Sequence, residues 1–381
     1  MNRVYLDHSA TTPVRDEVVE AMLPYFSAAF GNASSIHSFG QEARKAIQNA
    51  RKKIAEMIDT DLTEVVFTSG GTESDNLALM GGAYARRKAG RHIVTSSIEH
   101  PAVLNCCRHL EQEGFEVTYL PVDGQGLVDP VSVEDAIRPD TVFVSIMLAN
   151  NEVGTIQPIS EIGEITGALG IPLHTDAVQA LGKLPVTANK LNADLISISG
   201  HKIYGPKGIG MLYIRKGISF APLMHGGHHE MGFRPGTENV AAIVGLAKAM
   251  ELAELERKDF FEKTFALRSV LEAGIKEKIE NVLINGHPEN RLPNISSASF
   301  KNTDGESLLM ILDSLGIAVS TGSACSSGST EPSHVLSAMG ITAELASGNL
   351  RFSIGRSNDR DDICRVLEVL PEIVAKLRGV N

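Results

Sequence analysis

Four consecutive residues, Ser199-Gly200-His201-Lys202, close an apolar run from Ala193 to Ile198 that reads as a buried strand. An ammonium is costly to desolvate, so a lysine directly after such a strand is out of place as a simple solubilising charge. The same burial lowers a lysine's pKa and makes it a usable amine nucleophile, the requirement for a Schiff base. Ser199, His201 and the glycine-rich Tyr204-Gly205-Pro206-Lys207-Gly208-Ile209-Gly210 suit the phosphate of a cofactor held beside that amine. Taken alone, Lys202 fits equally well a strand-ending lysine whose head reaches into solvent.

A second apolar run, Ile171-Pro172-Leu173-His174-Thr175-Asp176, also ends in an ionisable side chain. Pyridoxal phosphate enzymes need an acid partner that keeps the ring nitrogen protonated, and Asp176 suits that role. Gln179, three residues on, could reach the ring's phenolic oxygen. An aspartate at this junction could instead cap the following helix. Paired with Lys202, the cofactor reading is favoured, because the two runs could be neighbouring strands presenting both groups at one sheet edge. A third segment, Glu64 to Ser74, reads as a strand, a tight Ser69-Gly70-Gly71 turn and a helix opening near Thr72. Amides at a helix start, with the dipole behind them, make an anion site. The segment lacks the Gly-Lys-Ser/Thr ending of a nucleotide P-loop and the Gly-x-Gly-x-x-Gly dinucleotide pattern.

Cys325 sits in a stretch of small, turn-forming residues from Ser320 to Pro332. Such a stretch buries little apolar surface, which predicts an exposed, mobile loop carrying a chemically used thiol. Cys106, Cys107 and Cys364 lie in helical patterns and read as packing residues. Asn151 and Arg351 are candidates to hold a substrate carboxylate, Arg351 through its two-pronged fork. His225-Gly226-Gly227-His228-His229-Glu230 has metal-ligand residue types, but glycine loops fix ligands poorly and no spaced partner is evident, so no metal is expected.

The chain resembles the cysteine desulfurases of the NifS/IscS type, in the class V aminotransferase group of fold-type I enzymes. The likeness runs nearly end to end, through Tyr5-Leu6-Asp7-His8-Ser9-Ala10-Thr11-Thr12-Pro13, Phe30-Gly31-Asn32, Phe67-Thr68-Ser69-Gly70-Gly71-Thr72-Glu73-Ser74 and Glu99-His100. It continues in Asn150-Asn151-Glu152, His174-Thr175-Asp176-Ala177-Val178-Gln179, Ser199-Gly200-His201-Lys202, Gly322-Ser323-Ala324-Cys325 and Arg351-Phe352-Ser353. The resemblance implies pyridoxal phosphate held on Lys202, with Gly71, Thr72, Ser199 and His201 at its phosphate. Asn151, Asp176 and Gln179 would also touch the cofactor. His100 would stack on the ring and move protons, though a lone histidine is otherwise more often a structural hydrogen-bonder. L-cysteine would lose its sulfur to Cys325 as a persulfide, leaving alanine. Thr237 would come from a neighbouring subunit, making a homodimer obligatory for the site. The sulfur would pass to an acceptor protein such as an iron–sulfur cluster scaffold. A selenocysteine lyase, another class V transaminase and a non-catalytic sulfur-relay protein are the alternatives. Cys325 argues against the transaminase, and Lys202, Asp176 and Cys325 together argue against the relay.

These groups need a scaffold, and up to about residue 215 strands and helices alternate as in a mostly parallel sheet covered on both faces. Strands are predicted near 64–68, 91–96, 116–120, 141–148, 171–176, 193–199 and 210–214, with helices near 41–58, 72–89, 101–113 and 159–169. Residues 237–279 predict a long helix or helix pair. Short strands near 281–284, 295–300, 317–320 and 350–354 follow, with helices at 306–315 and 361–377, as in a smaller α+β unit. The expected fold is therefore fold-type I. Residues 14–255 form the large cofactor-binding domain with a seven-stranded sheet. Residues 1–13, added by the resemblance, and 256–381 form the small domain with the 320–332 loop. At 381 residues the chain is long for one core. Apolar content of 43% and charged content of 21% suit a globular protein, and a net charge of −11 disfavours a nucleic-acid surface. Absence of a basic–apolar leader, of a long uncharged apolar stretch and of paired cysteine spacing leads to the expectation of a cytoplasmic protein without a membrane span.

Overall fold

The computed structural model describes residues 3–322 and 333–379. The strands are β1 (Val4–Tyr5), β2 (Val65–Thr68), β3 (His92–Ser96), β4 (Glu116–Leu120), β5 (Thr141–Ser145) and β6 (Leu173–Asp176). They continue as β7 (Leu195–Ser199), β8 (Gly210–Ile214), β9 (Val282–Asn285), β10 (Ile295–Phe300), β11 (Ile317–Ala318) and β12 (Asn349–Ser353).

Seven strands form one sheet in the order β2-β8-β7-β6-β5-β3-β4, in which β8 alone runs antiparallel to its neighbours. Six of the seven, all but β4, are buried along their whole length, because helices cover both faces. Side-chain alternation sorts the faces. Leu195 of β7 packs with Leu77, Val103 and Leu212 beneath the Gly71–Arg86 and Pro101–Gln112 helices. Ile196 and Ile198 join Ile47, Ile54 and Leu246 beneath the Ser38–Met57 and Val240–Leu255 helices. The exposed edge of β2 is closed by side chains. Buried Glu230 accepts the Phe67 N–H at 2.9 Å and pairs with Arg51 at 2.7 Å, while Arg51 also donates to the Val65 carbonyl. An unpaired strand edge is thereby satisfied from a loop rather than by another strand.

The helix-forming stretch resolves into two helices, Val240–Leu255 and Arg257–Lys278, broken at Glu256. Glu256 is held from two sides, by Arg15 at 2.8 Å and Arg356 at 2.9 Å. Beyond it an antiparallel sheet, β12-β10-β9, packs with the Arg257–Lys278, Gly305–Ser314 and Arg360–Leu377 helices around Leu271, Phe300, Leu312, Phe352 and Leu370. The N-terminal arm joins this second core: β1 pairs with β11, and Leu6 lies in the cluster. Among the described residues, six short α-helices were not anticipated from the sequence, the longest of them Asp16–Met22 and Pro130–Ala136. None exceeds seven residues, too few for a periodic apolar pattern to stand out. Among the described residues no helix is long and apolar enough to cross a membrane.

Candidate active site

The parallel strands β3, β5, β6 and β7 all end at one edge, and the segments leaving them converge on a cavity of about 300 Å³. Its lining includes Ser9, Ala10, Gly71, Thr72, His100, Met147, Asn151, Asp176, Gln179, Ser199, His201, Lys202 and Arg351. Sequence-distant candidates are brought together because the sheet places β6 beside β7, with Asp176 opposite Ser197. Lys202 follows β7 in a single tight helical turn. Its Nζ donates to the Ser9 and Ala10 carbonyls at 2.6 and 2.8 Å. The Ser9 N–H is itself tied to Ser353 Oγ at 2.8 Å, so the N-terminal arm links the lysine to the smaller sheet.

Asp176 is buried, and its Oδ1 accepts the Val178 N–H at 2.8 Å. One oxygen therefore does the local capping that the sequence allowed, and the other is left for the cavity. Burial pushes its pKa up to about 6. The Gln179 amide donates to the Ser9 carbonyl at 2.9 Å. The Gly71–Arg86 helix opens without a side-chain cap, and Gly70 adopts φ 153°, a backbone conformation that suits only glycine. Gly210 approaches so closely that an added Cβ would lie 2.8 Å from the Gly70 backbone. Among the described residues no side chain caps the first amides of this helix, which makes the cavity wall an anion site.

His100 caps the Pro101–Gln112 helix, its Nδ1 accepting the Ala102 N–H at 3.1 Å. The neutral ring therefore carries its proton on Nε2. Burial, then the charge of Lys202, push its pKa down to about 4. A thiolate-generating base is thus poorly matched to this ring, whereas a hydrogen-bond donor at Nε2 is well matched. Arg351 is buried with Nη2 on Asp7 at 2.9 Å, Nη1 on the Asn151 carbonyl at 3.2 Å and, among the described residues, no partner for Nε. Its backbone exchanges hydrogen bonds with Ser320, where the Cys325 segment begins. On the other side of that segment, Ser333 Oγ donates to buried Glu152 at 2.5 Å. Cys325 itself lies outside the described residues. Thr237 is exposed and does not line this cavity.

Several buried polar groups were not singled out from the sequence. His174 bonds Ser145 and Ser197 at 2.8 and 2.9 Å and faces Asp75 at 3.7 Å. Burial pushes His174 down to about 3, Asp75 upward, and Glu99 up to about 8. A strand reading allots alternate residues to a covered face but does not reveal that this cover holds carboxylates. In the histidine- and glycine-rich stretch, Glu230 is occupied by Arg51. No metal-ligating group of three residues occurs among the described residues.

An uncapped helix start, a lysine amine and a buried carboxylate around one cavity fit pyridoxal phosphate. Gly71, Thr72, Ser199, His201, Asp176 and Lys202, all lining the one cavity, could hold its phosphate, ring nitrogen and aldehyde carbon. The pattern of the class-V aminotransferases matches residues 4–366. A cysteine desulfurase IscS of Methanosarcina thermophila is 56% identical over 99% of this chain and 93% of its own length. A solved NifS-like protein superposes with a TM-score of 0.93 at 40% identity, covering 98% of this chain and 100% of that one. A structure of SspA in complex with cysteine gives 0.83 at 39% identity, over 93% and 99% of the two chains.

Proposed function

Because this chain belongs to the class-V aminotransferase family, we propose that it is a pyridoxal-phosphate-dependent cysteine desulfurase, converting L-cysteine to alanine and a persulfide on Cys325. The observation that carries the reading is the delivery of Lys202 and Asp176, from adjacent strands, into one cavity roofed by Arg351 and floored by an uncapped helix start.

Bound pyridoxal phosphate supplies an electron sink for the pair released at the substrate α-carbon. Lys202 would hold it, and the Lys202 Nζ, once free, would take the α-proton of the substrate and later return one. Asp176 holds the proton on the ring nitrogen. Arg351 and Asn151 hold the substrate carboxylate. The Cys325 thiolate attacks the substrate sulfur: an S–S bond forms, the Cβ–S bond breaks, and its electron pair stays with the carbon skeleton to be protonated. His100 donates a hydrogen bond from Nε2 inside the cavity. Alanine leaves, and the persulfide sulfur goes to an acceptor for iron–sulfur cluster assembly.

On the same reading residues 14–255 are the cofactor domain, and 1–13 with 256–381 the smaller domain. The two largest apolar clusters fall mostly on either side of that division, although Leu292 and Ile295 join the first and a smaller cluster packs Ile98, Met147 and Val153 against Val335, Leu336 and Met339. A homodimer completes the site, with Thr237 serving the phosphate of the second copy. Support comes from Leu23, Phe26, Phe30, Ile36 and Phe39, large apolar side chains all more than half exposed on one segment. The cytoplasm is the compartment we assign. The test is alanine production from L-cysteine by the purified protein and by Cys325→Ser. The variant should keep the cofactor yet make no alanine, because an alcohol is a far weaker nucleophile than a thiolate. Steady alanine production by that variant would refute the persulfide route.

A further inference from the structure

Lys183 lies in the turns after β6 and is only 6% exposed. Its Nζ donates to the Gln179 carbonyl at 2.6 Å and lies 3.4 Å from Gln179 Oε1. The Gln179 Nε2 donates to the Ser9 carbonyl, which also accepts from Lys202. A hydrogen-bonded chain therefore runs from Lys183 through Gln179 and Ser9 to Lys202. Lys202 stands between two spaces, the cavity of about 300 Å³ and a smaller one of about 30 Å³ that Lys183 helps to line. The charged and titratable groups facing Lys183 are His8, Arg15, Lys202, Tyr204, Glu256 and Arg356. Glu256 is the one carboxylate in that set, and it is engaged by Arg15 and Arg356. Among the described residues no carboxylate pairs with Lys183, whose acceptors are both amide oxygens. Burying a cation against neutral acceptors is expensive, and an apolar side chain would fill the space at less cost. Burial, then the charge of Lys202, push its pKa down to about 7.

We infer that Lys183 is a positioning residue for the cofactor. It holds the oxygen of the Gln179 side chain, so that the amide N–H2 points toward Ser9 and the cavity, and it sets a second positive charge behind Lys202. This rests on reading Gln179 as the neighbour of the cofactor's phenolic oxygen. A cation at an amide oxygen polarises the amide and strengthens N–H donation on its far side. Removing a nearby cation makes every proton in the site harder to lose.

The test is the pH titration of the visible absorption of the bound cofactor in the holoenzyme, for wild type, Lys183→Met and Gln179→Leu. Lys183→Met should move the midpoint upward by about one pH unit, with cofactor still bound and the near-ultraviolet circular dichroism unchanged. Gln179→Leu should also move it. If Gln179→Leu moves the midpoint and Lys183→Met does not, the inference falls and the Gln179 reading survives. If neither moves it, the Gln179 reading fails as well. A second measurement needs no variant: carbon-13 resonances of labelled lysine in the wild-type holoenzyme should show, beside the cofactor-linked Lys202, a second lysine titrating well below the rest. Titration of all lysines other than Lys202 together would overturn the inference.

Discussion

Replacing Arg351 tests how the substrate is held, and the structure sets the size of the effect. The guanidinium is buried, with one nitrogen on Asp7, one on the Asn151 carbonyl and Nε unpartnered among the described residues, so it is fixed in orientation with donors to spare. A hydrogen bond to a charged group contributes about 1.5–3 kcal/mol. Arg351→Lys keeps the charge but loses the two-pronged geometry, a loss of about 2 kcal/mol or roughly 30-fold in kcat/KM for L-cysteine. Arg351→Met loses the charge and both bonds, about 4 kcal/mol or roughly a thousandfold. The assay is alanine formation from L-cysteine set beside turnover of cysteamine, which has the amine and thiol but no carboxylate. Cysteamine should be a poor substrate for every form, and its rate should barely respond to the substitution. If Arg351→Met slowed both substrates by the same factor, Arg351 would act by pairing with Asp7 and the carboxylate reading would be wrong.

Asp176→Asn should leave Lys202 able to bind pyridoxal phosphate but lower kcat by at least about a hundredfold, since an amide does not keep the ring nitrogen protonated. Unchanged kcat with full cofactor loading would remove Asp176 from the mechanism. Glu99 is raised to about 8 in the folded protein, so its contribution to stability is complete below the unfolded value near 4.5 and is lost as pH rises through 8. Urea midpoints between pH 5 and 9 should accordingly fall less for Glu99→Gln than for wild type, and parallel curves would contradict the assignment. An added Cβ at Gly82 would meet the Phe143 ring at 2.4 Å. Gly82→Ala should therefore lower stability by about 1–3 kcal/mol despite alanine's better helix propensity, and a raised Tm would show that the ring can retreat.

Much of the frame is legible in the order of residues. Apolar runs such as Leu195–Ser199 are too short and too continuous to be anything but covered strands, and Gly70-Gly71 announces a turn into a helix. Lys202, Asp176 and Thr72 stand directly after such runs, so position along the chain already places them at a sheet edge. What the sequence by itself could not decide is which strands are neighbours. Only the pairing of β6 with β7 sets Asp176 and Lys202 in one cavity, since strand order depends on the packing of crossover helices rather than on any local pattern. The tautomer of His100 was likewise not legible in the sequence: a local bond from the Ala102 N–H, two residues on, leaves its proton on Nε2. Arg351 reached the site only because β12 pairs with Ser320 and the N-terminal arm supplies Asp7. Lys183 looks in sequence like one more surface cation. Its burial is imposed by the Val240–Leu255 helix closing over the turn after β6, with Ala253 against Gly182, a long-range packing event that no residue near Lys183 encodes.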